Sequence, residues 1–219
     1  MITISQAVES VLNTKPFILD ALNDNIINFS SLASFIKPDL EKILRKNINE
    51  GAIVMAIRRF KIVNEIGLNK KIEEQVKNFG DILVRSNLVD YTFRNSDTLL
   101  KSQQKLLKII SQKNDVFYTV TQGVYETTFI LSDQIKDEIQ NIFEGEKLLS
   151  SSYELSSITI KLSSGNIEQP GLYYFIFKKL AWNGINILEV VSTSNEVTIL
   201  LKDKDIDKAF SVIKQLKNE

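Results

Sequence analysis

The loop Gly165-Asn-Ile-Glu-Gln-Pro-Gly171 delivers the chain into an apolar run of helical period that starts at Leu172. A helix begun there leaves its first backbone N–H groups without intrahelical partners, and its dipole favours an anion at that end. A small carboxylate fits such an entrance, held at the N–H groups around Gly171 and Leu172. Asn166, Gln169 and Asn186 add side-chain amides able to bind an amino group or a polar tail. Pro170, Gly171, Leu172 and Ile187 complete this candidate binding site. The same residues also have a plainer reading, in which Pro170-Gly171 is a tight turn and Asn186 closes a loop.

A second stretch could meet phosphates. Arg58, Arg59 and Lys61 follow one another near the end of an apolar helical run, and residues 37–61 hold seven basic side chains against three acidic ones,. A third, Asp203-Lys-Asp-Ile-Asp207, imitates the start of a calcium loop, yet Lys208 and Lys214 stand where such a loop needs Gly and Glu. Acidic residues opening a helix explain it, and no metal or cofactor is expected. Tyr173, Tyr174, Phe175 and Phe177 read as helix core, with Tyr173 or Tyr174 free to border a pocket. Gly145, between Glu144 and Glu146, reads as a helix stop without chemical meaning.

Composition narrows the chemistry further. The 219 residues contain no Cys and no His, which removes thiolate nucleophiles, imidazole bases, disulfides and zinc sites built on those ligands. No convergent carboxylate pair or lysine replaces them, so the chain reads as a non-enzyme. Lysine plus arginine (27) balances aspartate plus glutamate (27), and any affinity for nucleic acid must come from a local patch. With no signal-peptide pattern and no apolar run of bilayer length, the reading is cytoplasmic, without a membrane partner.

The elements that must position these residues fall into two kinds. Before Gly80, Ile4–Leu12, Pro16–Leu22, Ser30–Ile36, Asp39–Leu44 and Glu50–Phe60 read as short helices. Ser5, Ser30 and Asn49 serve as N-caps, and Pro16 and Pro38 sit in first turns, where a missing N–H costs nothing. Leu68–Phe79 is a further amphipathic helix closed by Gly80, which marks the domain boundary. After it the pattern runs strand, helix, strand-turn-strand, helix, and then repeats. Residues 115–143 lie on residues 185–213 without a gap, matching Val120 with Val190, Glu126 with Glu196, Thr128 with Thr198 and Asp133 with Asp203. Such a match points to internal duplication.

The expected fold is therefore α+β: a helical domain (1–80) followed by two ferredoxin-like βαββαβ domains (81–156 and 157–219) with two small antiparallel sheets. The second repeat has no fourth strand of its own. Ile82–Arg85 is expected to supply it, as a strand exchange that locks the repeats together.

Three stretches carry a family resemblance: Ser157-Ile-Thr-Ile-Lys-Leu, then Pro170-Gly-Leu-Tyr-Tyr-Phe-Ile-Phe-Lys-Lys-Leu-Ala-Trp-Asn-Gly-Ile-Asn-Ile, then Glu189-Val-Val-Ser-Thr. They resemble the ACT domain found at the C-terminus of aspartokinases. The resemblance covers residues 157–216 well and 81–155 weakly, since Arg94-Asn95-Ser96-Asp97 stands where Pro-Gly would be. Together the repeats look like the tandem ACT pair without its kinase, for no glycine-rich phosphate loop is present. The resemblance implies allosteric regulation by a bound amino acid or similar small carboxylate, and a homodimer.

Pro16–Leu22, Asn28–Ile36 and Asn49–Lys61 look like the three helices of a helix-turn-helix domain, with Leu32, Ala33, Ile36, Ile53, Ile57 and Phe60 packed inside. That resemblance implies DNA binding through Arg58, Arg59 and Lys61 and a role in transcription regulation. Against it, the third helix opens with Asn49, Glu50 and Gly51, a poor set for an anionic groove, and the link before it is long. A non-DNA-binding adaptor or regulatory subunit, whose ACT pair mediates oligomerisation or docks onto a metabolic enzyme, is the alternative.

Overall fold

The computed structural model describes residues 2–64, 68–163 and 170–218. Two compact units divide the chain, residues 1–71 and 72–219. The division falls earlier than Gly80 because Ile72, Val76 and Phe79 pack into the core of the C-terminal unit.

The helical unit contains α1 (Ile4–Asn13), α2 (Pro16–Asn23), α3 (Phe29–Leu44) and α4 (Glu50–Asn64), while α5 (Leu68–Lys77) runs across the division. Thr3, not Ser5, caps α1, in a reciprocal box with Gln6. Asn28, not Ser30, caps α3 by accepting from the N–H groups of Ser30 and Ser31. In both cases a side chain just outside the helix reaches donors that one inside the first turn cannot. The two short helices expected on either side of Pro38 are one helix, with the proline inside it. Pro38 leaves the Ser34 carbonyl without its helical donor, and Ser34 is exposed to water, which can supply one,. Leu32, Ala33, Ile36 and Leu40 form one buried stripe of α3, against Val8 and Leu12 of α1 and Ile53 and Ile57 of α4.

The C-terminal unit is built on one antiparallel sheet of β1 (Ile82–Arg94), β2 (Tyr118–Gln122), β3 (Glu126–Ser132), β4 (Leu148–Lys161), β5 (Glu189–Ser192) and β6 (Glu196–Lys202), in the order β2-β3-β1-β4-β6-β5. Its helices are α6 (Leu99–Ile110), α7 (Lys136–Ile142), α8 (Leu172–Trp182) and α9 (Ile206–Asn218). Two separate small sheets were expected. They are continuous because β1 and β4, 13 and 14 residues long, each serve both halves. The first half of β1, Ile82–Arg85, pairs with Ile160–Ser157 of β4, while its second half pairs with β3 and with the start of β4.

Side chains alternate across this sheet. Val89, Tyr91 and Phe93 join Leu106 of α6 and Ile139 of α7 in one core. Ile158 and Ile160 join Ile176 and Leu180 of α8 and Ile213 of α9 in another. On the opposite face, Leu88 and Ile130 from the first half meet Leu155 and Leu200 from the second. The halves therefore share a third cluster.

The two repeats superimpose strand for strand in register. Val120↔Phe129 in β2-β3 has its counterpart in Val190↔Ile199 of β5-β6, each partner 70 residues on. β1 maps onto β4 with a shift of 67, so the Thr92–Thr128 hydroxyl contact (2.9 Å) recurs as Thr159–Thr198 (2.8 Å). Under the same shift Leu88 becomes Leu155, and these two residues pair with each other. A pseudo-twofold axis thus passes between them. Beside it Asn87 and Glu154, also equivalent, both take left-handed φ (58° and 55°) where the strands cross.

Candidate functional site

Gly171 precedes α8 as its N-cap in the left-handed region (φ 94°), a conformation that costs a side-chain-bearing residue far more than glycine,. Its carbonyl accepts the first helical bond, from Phe175 N–H at 3.0 Å. Gly171, having no side chain, offers this end no cap of its own. Leu172 faces inward with Ile176 and Leu180 and anchors the helix in the core, leaving Pro170 exposed and Gly171 half-buried at the entrance. Tyr173, in the first turn, stacks on Phe177 (6.0 Å) and reaches across to β5, where its hydroxyl meets Ser192 Oγ at 2.6 Å.

Asn186 and Ile187 lie elsewhere. They follow the turn at Gly184 that ends α8, and an 11-residue helix separates that end from Gly171 by about 16 Å at 1.5 Å per residue. Asn186 is exposed there, and Ile187 packs against the core. The chain reversal puts the two parts of the expected site at opposite ends of α8, so Asn186 does not close the entrance at Gly171. Asn166 and Gln169 lie outside the described residues. Tyr173 and Ser192 are the side chains that the fold does bring to this entrance. A hydroxyl-bearing ring in the first helical turn was the available signal for Tyr173; nothing in the sequence marks Ser192, which is brought there by the pairing of β5 with β6.

The matching entrance of the first repeat is furnished differently. Ser96 Oγ accepts from the N–H groups of Thr98 (3.3 Å) and Leu99 (3.0 Å) at the head of α6, and donates to Glu146 Oε2 at 2.6 Å. Ser102 Oγ donates to Glu146 Oε1 at 3.3 Å. Burial pushes the Glu146 carboxyl up, but the bonds from Ser96, Thr98 and Ser102 outweigh it and hold the group below its ordinary value,. Asn95 turns away, donating to the Gly123 carbonyl (2.9 Å) and accepting from Thr127 (2.6 Å), which locks the β2-β3 turn.

Two further polar groups belong to the sheet. Asp90 is buried on the face opposite the helices, and its Oδ1 has no hydrogen-bond partner among the described residues. Desolvation, then the nearby Glu189, push it up to about 6, against the Thr92 hydroxyl and Lys202. Burial first and Glu126 second raise Glu189 as well. Where β1 and β4 cross, a groove of about 530 Å³ is lined by Asn87, Asp133, Lys136, Asp137, Glu154 and Asp203, among others. Asp203, which opened the calcium-like stretch, accepts from Ser156 in the 3-10 turn ahead of α9. Among the described residues no group of three or more Asp, Glu, Cys or His could hold a metal ion.

In the helical unit, Arg58 and Arg59 are exposed, and the Arg58 guanidinium lies over the Phe29 ring at 5.8 Å. The Lys61 side chain lies outside the described residues. Lys37 pairs at 3.9 Å with Glu41 and with Glu50, the first residue of α4. An acidic side chain thus fronts the helix that would enter a groove.

No family model matches the chain, and no curated protein does. Solved structures do. The chain is similar in fold to the regulatory regions of aspartate kinases. The regulatory subunit of aspartate kinase from Thermus thermophilus, in a ligand-free form, aligns with 63% of this chain and 97% of its own, at 12% identity and a TM-score of 0.52. The aspartate kinase of Clostridium acetobutylicum aligns over 63% of this chain at 17% identity and a TM-score of 0.52. That of Synechocystis does so over 66% at 14% identity and 0.54. The chain spans 34% and 28% of those two enzymes. No helix among the described residues is long and apolar enough to cross a membrane.

Proposed function

We propose that this chain is a ligand-responsive regulatory protein whose second repeat takes an amino acid, or a similar small carboxylate, at the N-terminus of α8. The observation that carries the reading is the contrast between two equivalent helix entrances. That of α6 already holds the Glu146 carboxylate, whereas α8 is entered through a left-handed glycine, which brings no side-chain cap of its own. In this reading the ligand carboxylate rests on the backbone N–H groups beside Gly171 and Leu172, and the Tyr173 and Ser192 hydroxyls border its polar tail. Asn166 and Gln169, which lie outside the described residues, are read as adding their amides to the same ligand. The similar structures named as a regulatory subunit and as an allosteric enzyme lend the regulatory role by analogy of fold,.

The strand exchange belongs to the same proposal. Ile82–Arg85 is read as the fourth strand of the second repeat, supported by its pairing with Ser157–Ile160, so ligand at one repeat is felt in a strand that continues into the other. The assembly is read as a homodimer and the chain as a non-enzyme, with the helical unit passing the response to a target. DNA through Arg58, Arg59 and Lys61 is one target. The adaptor alternative draws on the outer face of α8, where Tyr174 and Trp182 are exposed and Lys178 lies 5.7 and 5.8 Å from their ring centres.

The test is a thermal-shift screen of the twenty amino acids on the whole chain, followed by Tyr173→Phe on any hit. One or more amino acids should raise the melting temperature at millimolar concentration, and Tyr173→Phe should weaken the hit. A screen without a shift retires the sensor and leaves the adaptor.

A further inference from the structure

Glu146 lies three residues beyond Phe143 at the end of α7, past Gly145, whose left-handed φ of 89° turns the chain. From there its carboxylate engages two serines that stand 50 and 44 residues earlier, one on each oxygen. Ser102 is only 8% exposed. A hydroxyl so buried needs a partner, and the carboxylate supplies it. Ser96 links that carboxylate to the backbone N–H groups of Thr98 and Leu99, so the anion is coupled to the positive end of α6 through one hydroxyl,.

Among the described residues the second repeat shows no such arrangement at the head of α8. The buried positions of α8 are Leu172, Ile176 and Leu180, all apolar, whereas those of α6 are Leu99, Ser102 and Leu106. Glu146 itself stands beyond the end of α7, outside the stretch that matches α9. A buried serine bonded to a carboxylate thus marks α6, while the buried positions of α8 are all apolar. Fold geometry alone does not demand that serine and carboxylate.

We propose that Glu146 is an intramolecular carboxylate ligand that fills a built anion site at the head of α6, so the first repeat is closed to a free carboxylate and the chain responds through the second repeat only. This rests on the reading of α8 as the open entrance, but the site at α6 can be tested without it. Removing the side chain vacates a position shaped for one carboxylate, and acetate is the smallest probe of that shape. The melting temperature of Glu146→Ala in the whole chain should fall by several degrees in chloride. Acetate at equal ionic strength should restore at least half of that loss, while wild type and Glu146→Gln, whose side chains still occupy the position, should show no such gain.

Equal melting in the two salts for Glu146→Ala, or an acetate gain of the same size in wild type, overturns the proposal. If Glu146→Ala folds in acetate but not in chloride, that is the predicted rescue. If it folds in neither, the cycle of Ser102→Ala, Glu146→Gln and their double variant decides. The double should lose less stability than the two singles added together, and strict additivity refutes the contact. A failed amino-acid screen in wild type would sink the α8 reading and leave these outcomes untouched.

Discussion

The two repeats use one strand register to frame helix entrances of opposite character. At α6 the entrance is closed by Ser96, Ser102 and Glu146, and Asn95 is committed to the β2-β3 turn. At α8 it is formed by Gly171 and Leu172, with Tyr173 tied to Ser192 on the neighbouring strand. The sheet tolerates this divergence because its stability comes from buried rows that both halves keep, among them the threonine pairs and the leucines on the pseudo-twofold axis. Duplication thus preserves the frame and frees the rim for change.

The largest expected effect lies on the axis itself. Leu88 and Leu155 are fully buried, paired and equivalent, so Leu88→Ala and Leu155→Ala should each cost about 2–5 kcal/mol. Chemical denaturation should find the two losses alike, and a much larger cost on one side would break the symmetry.

Asp90 gives the next test, because its counterpart under the same shift is Ser157, which does not titrate. Its folded value of about 6 lies above the ordinary 3.8, so the folded state holds the proton more tightly. Stability from this group is full below about pH 4, declines as pH rises towards 6, and is gone above that. Asp90→Asn should therefore stabilise the protein at pH 8 and change little at pH 4. Melting curves at the two values check it, with Glu189 and Lys202 unchanged in the comparison.

Tyr173→Phe should weaken an amino-acid hit roughly threefold to tenfold, the worth of one hydrogen bond. Tyr118→Phe, which removes a hydroxyl bonded to Gln103 in the first repeat (3.0 Å), should leave the affinity unchanged. Isothermal titration separates the two. The smallest effect concerns the helical unit. If DNA is bound, replacing Arg58 and Arg59 by Ala should flatten the salt dependence by about one unit per lost phosphate contact. No binding to long duplex DNA at low salt would favour the adaptor.

How far this could be read from residues alone differs between the frame and the rim. The hairpins were legible because Val120, Glu126, Thr128 and Leu131 recur 70 residues on at Val190, Glu196, Thr198 and Leu201, and strand period 2 makes register follow the apolar pattern. The extension of β1 through Ile82–Arg85 was legible, but the run of β4 as one strand from Leu148 to Lys161 was not, since Glu154 takes a left-handed φ within it. Pro38 misled for the opposite reason, since an exposed carbonyl removes most of its penalty inside a helix. Glu146 could not be found beside Gly145, because its partners come from another helix entrance. Asn186 was placed near Gly171 by the order of motifs, whereas α8 holds the two apart.

The central claim, that equivalent repeats differ in having one open and one self-filled entrance, is tested most directly by calorimetric titration of the whole chain with an amino acid that raises its melting temperature. One ligand bound per chain, with Tyr173→Phe weakening it and Glu146→Gln leaving it unchanged, is the predicted result. Two ligands per chain, or binding weakened by Glu146→Gln and indifferent to Tyr173→Phe, would contradict it.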